Sequence, residues 1–128
     1  MAAMLGIFGR LGRARDLRHL DDELRSAGLH PALTADAVKM TVIRLLKGAY
    51  GDAAPHMAEA AALVAYCTLG PDAYAETNGP DRTRAVESRV QAAVAEERGL
   101  DAELVLLTLH ADVIHPDVVE AFGLDVDG

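Results

Sequence analysis

Tryptophan is absent from this 128-residue chain, phenylalanine occurs twice, and cysteine once, as Cys67. A single thiol excludes an internal disulfide, and inside an apolar run it acts as a small hydrophobe, which fits a reducing, cytoplasmic setting. Basic residues are also in deficit: twelve Lys and Arg face twenty Asp and Glu, a formal charge of −8. That acidic balance opposes the phosphate attraction on which nucleic-acid binding rests, and nucleic acid is excluded as a general partner. No stretch approaches the roughly twenty uninterrupted apolar residues of a transmembrane helix. The apolar run within Met1 to Phe8 is too short for a secretory signal, and the arginines follow it rather than precede it. No glycine-rich phosphate loop, serine nucleophile elbow or paired-cysteine motif occurs.

With so few aromatics, the 51% hydrophobic fraction comes from Ala, Leu and Val. Ala and Leu are the strongest helix formers, and small side chains let helices approach closely. The length suits one domain that buries roughly two thirds of its unfolded surface without a metal or a disulfide. The expected fold is all-α, a compact bundle of five to six short helices with no substantial sheet. Residues 1–13 read as an apolar, basic arm punctuated by Gly6, Gly9 and Gly12, residues 14–123 as a single helical domain, and residues 124–128 as an acidic tail.

Local signals divide that domain. A first helix is expected from Ala14 to Ala27, with Leu17, Leu20, Leu24 and Ala27 on one face and Gly28 as the left-handed residue that ends it, letting Leu29 fold back. Thr34 is placed to cap a second helix, with Asp36 near the positive end of its dipole and Lys39, Arg44 and Lys47 on its outer side. A third helix starts near Pro55 and runs to Leu69, where Gly70-Pro71 stops it. Asp72 to Gly79 reads as a loop containing one helical turn. Pro80 opens an amphipathic fourth helix through Val86, Val90, Ala93 and Val94 that closes at Gly99. Asp101 is placed to cap a fifth helix. Its apolar stretch from Leu104 to Leu109 has the alternative reading of a buried strand, disfavoured by the cap and by the lack of a partner strand. A last short helix begins at Pro116 and closes at Gly123. His-Pro recurs after an aliphatic residue, at Leu29-His30-Pro31 and Ile114-His115-Pro116, and reads as two similar connectors.

Met57 to Leu69 and Leu104 to Ile114 are apolar almost all the way round, so other helices or a second copy must wrap them. This supports the leading reading, a non-enzymatic protein–protein interaction domain that forms a homo-oligomer. Its contacts fall on Leu5, Ile7, Phe8 and Leu11 of the arm, beside Arg10, Arg13, Arg15 and Arg18. The same arm has a second use, peripheral contact with an anionic membrane surface.

The alternative is a metal-binding protein or metal-dependent hydrolase. His110, Asp112, His115 and Asp117 offer imidazole and carboxylate ligands for a divalent transition metal. The two histidines are five residues apart across an expected helix break, so the turn at Ile114 to His115 would have to fold the four together. Otherwise His110 and Asp112 finish one helix and His115 caps the next. Asp21, Asp22 and Glu23 read as a solvated face. The stretch from Gly79 to Arg84 has an anion-binding reading at a helix start. Cys67 and His56 lie three turns apart on one helix, about 16 Å by helix rise, too far for proton transfer. Tyr50, Tyr66 and Tyr74 either line a ligand pocket or serve as core residues with their hydroxyls at the surface.

Overall fold

The computed structural model describes residues 2–124, with side chains from residue 12 onward. Among these residues six α-helices follow one another: α1 (Ala2–Ser26), α2 (Asp36–Tyr50), α3 (Met57–Leu69), α4 (Pro71–Glu96), α5 (Leu100–His110) and α6 (Pro116–Phe122). Short 3-10 turns at Pro31–Leu33 and Ala54–His56 lead into α2 and α3. The described residues contain no strand, so the all-α expectation holds and Leu104 to Leu109 is helical.

Helix α3 occupies the centre. It buries Met57, Ala60, Ala61, Leu63, Val64, Ala65, Tyr66 and Cys67, and α1, α2, α4 and α5 all pack against it. Its alanines keep it thin, which allows close approach on several sides. One chain therefore supplies all the wrapping that α3 requires.

The ends of the helices follow local chemistry. Gly28, at φ 95°, donates its N–H to the Arg25 carbonyl, and Leu29 donates to Leu24 across the end of α1. This paired closure satisfies two orphan carbonyls and buries Leu29 completely. Gly70 and Gly79 both precede proline and share one backbone conformation, φ 87° and 83° with ψ 168°. Proline pushes the preceding residue to an extended ψ, and only glycine adopts a positive φ there at low cost. Gly70 turns α3 into α4, and Gly79 kinks α4 in its middle.

Several expectations about local structure are corrected. Helix α1 continues through Gly6, Gly9 and Gly12, because isolated glycines cost only about 1 kcal/mol each among strong helix formers. Asp72 to Asn78 is helical throughout, where a loop with one helical turn was expected, and forms the first arm of α4 up to the kink at Gly79. That helix ends with Glu97 in the left-handed region at φ 56°, ahead of Gly99. Thr34 does not cap α2: its hydroxyl is buried without a partner, and Ala35 holds the cap position. Asp101 likewise leaves the cap position to Gly99 and uses its carboxylate elsewhere. Leu124 packs against the core instead of beginning a tail, and residues 125–128 lie outside the described residues.

Charged residues also depart from expectation. Lys39 is only 5% exposed, and its Nζ lies 2.9 Å from Asp21 Oδ1 and 3.7 Å from Asp36 Oδ1. The Asp21 oxygen lacks hydrogen-bond alignment, so the contact is ionic. Lys47 Nζ pairs with Asp16 Oδ2 at 2.9 Å. Two carboxylates of α1 thus hold two lysines of α2, and Asp21 is a cross-helix anchor where a solvated face was expected.

Alanine substitutions at two glycines separate strain from propensity, since neither position places a Cβ near any atom. Gly79→Ala should lower stability by about 1–3 kcal/mol through the positive φ alone. Gly48→Ala, in the exposed interior of α2, should raise it by about 0.5–1 kcal/mol. Urea unfolding followed by circular dichroism reads both.

Candidate functional site

Of the four residues of the metal reading, His115 has a clear structural duty. His110 is the last residue of α5, and Asp112 follows in the left-handed region at φ 60°. His115 caps α6, its Nδ1 accepting from the Asp117 backbone N–H at 3.0 Å. Its own N–H donates to the Cys67 carbonyl at 2.7 Å, which closes the end of α3. The imidazole lies flat against Gly70, where a Cβ would come within 2.9 Å of the ring. Asp117 Oδ2 sits 3.8 Å from His115 Nδ1. Among the described residues no three His, Cys, Asp or Glu side chains gather into a metal-holding group, so the turn at Ile114 does not unite this quartet.

The twin His-Pro connectors share one device. His30 Nδ1 accepts from the Ala32 N–H at 3.1 Å, the same two-residue reach that His115 makes to Asp117. In each case proline fixes the first turn while imidazole satisfies a free donor.

Cys67 is completely buried on α3. Burial pushes its thiol up to about 12, against smaller opposing effects of Thr108 and the Arg89 charge, so no nucleophile is poised there. His56 lies in the turn before α3, stacked on Tyr50 with ring centroids 3.6 Å apart.

The tyrosines divide. Tyr50 is exposed on its outer face, whereas Tyr66 and Tyr74 are buried edge to face at 5.6 Å. The Tyr66 hydroxyl donates to Glu87 Oε2 at 2.9 Å, and burial followed by that carboxylate raises its pKa. The Tyr74 hydroxyl has no hydrogen-bond partner among the described residues. Burial raises its pKa too, while the charges of Arg82 and Arg89 pull it down.

Arg89 clamps three helices. Its Nε and Nη2 donate to the two oxygens of Asp101 at 3.1 and 2.9 Å, and its Nη1 donates to the Glu59 carbonyl at 2.9 Å. A bidentate pair with an added backbone bond fixes the start of α5 against α3 and α4. At the helix start from Gly79 to Arg84, read as an anion-binding stretch, two side chains are locally engaged. Thr83 Oγ1 bonds back to the Gly79 carbonyl, and Arg84 pairs with Asp81.

Two of the surface clefts are distinguished by their lining. An apolar groove of about 350 Å³ runs along α5, lined by Val94, Val105, Leu106, Leu109 and Leu124 with Glu97 in its wall. A second cleft of about 370 Å³ lies where the end of α1 meets α3 and α4. The side chains of Leu5, Ile7, Phe8 and Leu11 lie outside the described residues. No helix among the described residues is long and apolar enough to cross a membrane. No protein-family model, curated protein or solved structure matches this chain.

Two outcomes check these assignments. In the native chain Cys67 should resist a thiol reagent at pH 8 and react only as the protein unfolds. Above pH 9 the unfolded chain releases the thiol proton while the folded chain keeps it to about 12. Stability should therefore fall with rising pH across that window, and Cys67→Ala should flatten the slope by up to about 1.4 kcal/mol per pH unit. His115→Ala should cost more than His30→Ala, about 2 kcal/mol against about 1, because the first also removes the ring packed on Gly70.

Proposed function

We propose that this chain is a non-enzymatic, self-associating domain whose groove along α5 receives the N-terminal apolar and basic segment of a second copy. The observation that carries this reading is the unfilled side of α5. Leu106 is 47% exposed on a helix that buries Ala102, Leu104 and Val105, and it stands in a groove with Leu109, Val94 and Leu124. Covering apolar surface of this kind contributes about 25 cal/mol per Å², and contiguous apolar patches rimmed by polar groups mark interaction sites.

Pattern and charge select the occupant. Met4, Ile7, Phe8 and Leu11 recur at i, i+3, i+4 and i+7, the anchor spacing by which a helix enters a groove, and Leu5 flanks them. Arg10 and Arg13 accompany that stripe. The groove offers Glu97 in its wall and Glu103 exposed on the same helix, so opposite charges meet around an apolar centre. Reciprocal exchange of the segment between two copies would close a two-fold dimer and bury both grooves.

Sedimentation equilibrium on the full chain tests this from about 1 to 100 μM. A reversible dimer is expected, weakened at least about tenfold by Leu106→Glu and by Phe8→Asp, with thermal stability unchanged for the exposed Leu106 position. A strictly monomeric chain across that range would overturn the reading.

A further inference from the structure

Along the part of α1 that packs on the bundle, burial follows one line. Leu20, Leu24 and Ala27 are buried on it, and Leu17 is partly covered one turn earlier. The opposite line holds Arg15, Arg18, Asp22 and Arg25, spaced by three, four and three residues, and all four are exposed. It is the solvent face of α1.

Both lines can be followed back along the same helix, which begins at Ala2. At about 100° per residue, the core line passes through positions 13, 10, 9 and 6, which hold Arg13, Arg10, Gly9 and Gly6. The solvent line passes through positions 11, 8, 7 and 4, which hold Leu11, Phe8, Ile7 and Met4. The apolar stripe thus changes faces, standing about half a turn round the helix from the residues that bind α1 to its own core.

The point where α1 leaves the bundle is also defined. Arg13, Ala14 and Arg15 are exposed in succession, which samples every side of the helix, and Arg13 is on the core line. Just inside that point Asp16 takes Lys47 of α2 at 2.9 Å, Asp21 takes Lys39, and Leu20 is buried. The base of the helix is therefore fixed in rotation.

We propose that the first three turns of α1 form a rigid extension of the bundle, which turns its apolar stripe away from the chain's own core so that only a second copy can cover it. This rests on the self-association proposed above and adds the reason the segment cannot serve its own chain: folding back would require α1 to break or to rotate by half a turn. Charge agrees with the choice of partner. Residues 1–15 hold three arginines and no carboxylate side chain, so the acidic excess lies wholly on the rest of the chain. An acidic surface with an apolar groove answers both stripe and arginines, and a second copy offers one along α5.

Sedimentation equilibrium of the full chain with alanines inserted after Gly12 tests the proposal. Two alanines turn the segment by about 200° and lengthen α1 by about 3 Å, whereas four turn it by only about 40° and lengthen it by about 6 Å. The two-residue insertion should weaken the dimer at least about tenfold and the four-residue insertion less than about threefold, with one unfolding temperature for both. Gly12→Ala, whose added methyl meets no atom, stiffens the helix and should leave the dimer as tight as wild type or tighter. A two-residue insertion that dimerises as wild type, or one that weakens the dimer no more than four residues do, would overturn this inference and leave self-association standing. A dimer weakened at least about tenfold by Gly12→Ala would do the same, since it would mark a hinge. A wild-type chain that stays monomeric to about 100 μM would overturn both readings.

Discussion

Burial of α3 on every side is the constraint that arranges the rest of the molecule. A helix that hides Leu63, Val64, Tyr66 and Cys67 at once has no solvent stripe to spare, so its neighbours must cover it from several directions. Four other helices pack against it, and its two ends are finished by residues distant in sequence. Arg89 reaches the Glu59 carbonyl near the start, and the His115 N–H reaches the Cys67 carbonyl at the end. The small side chains of Ala60, Ala61 and Ala65 make this density possible, and their packing substitutes for the aromatic mass the chain does not have.

Signals that act over one turn of chain were legible from sequence. Gly28 closes α1 and lets Leu29 fold inward, Gly70 with Pro71 stops α3, and the histidine before Pro116 caps α6, because each depends on a neighbour two to five residues away. Residues whose duty lies across the bundle were not legible. Lys39 looks like an outer residue of α2 until Asp21 of α1 stands beside it. Asp101 looks like a cap until Arg89 takes its carboxylate. The first arm of α4 was hidden by its polar composition, since Asp72, Thr77 and Asn78 resemble a turn and Tyr74 is its one fully committed core residue.

The same loss concealed the cleft. Tyr74 and Asn78 stand on the first arm of α4 and Arg82, Ala85 and Arg89 on the second, and across the kink at Gly79 all five line one cleft. Pro80 does open a helical segment, since Gly79 breaks the backbone at φ 83° and ψ 168°; what the sequence hid is that the segment before it is helical too. The metal quartet shows the opposite error. Its members are close in sequence and chemically suitable, yet among the described residues no three such side chains gather, and His115 is spent on the cap of α6. The apolar groove on α5 lies between these cases, since the all-apolar segment was evident while the identity of the uncovered residue, Leu106, required the packing of α4 and α6 around it.

The bond from His115 to Cys67 cannot form until the start of α6 has been synthesised. Ribosomes deliver about 5–20 residues per second, so the centre of the bundle waits several seconds for the segment that caps its far end. Until that segment emerges, the carbonyl of Cys67 and the apolar seat later filled by Val118 stay open to water. A nascent chain halted between α5 and α6 would present the cell with a nearly finished bundle carrying one greasy opening, a form suited to chaperone capture.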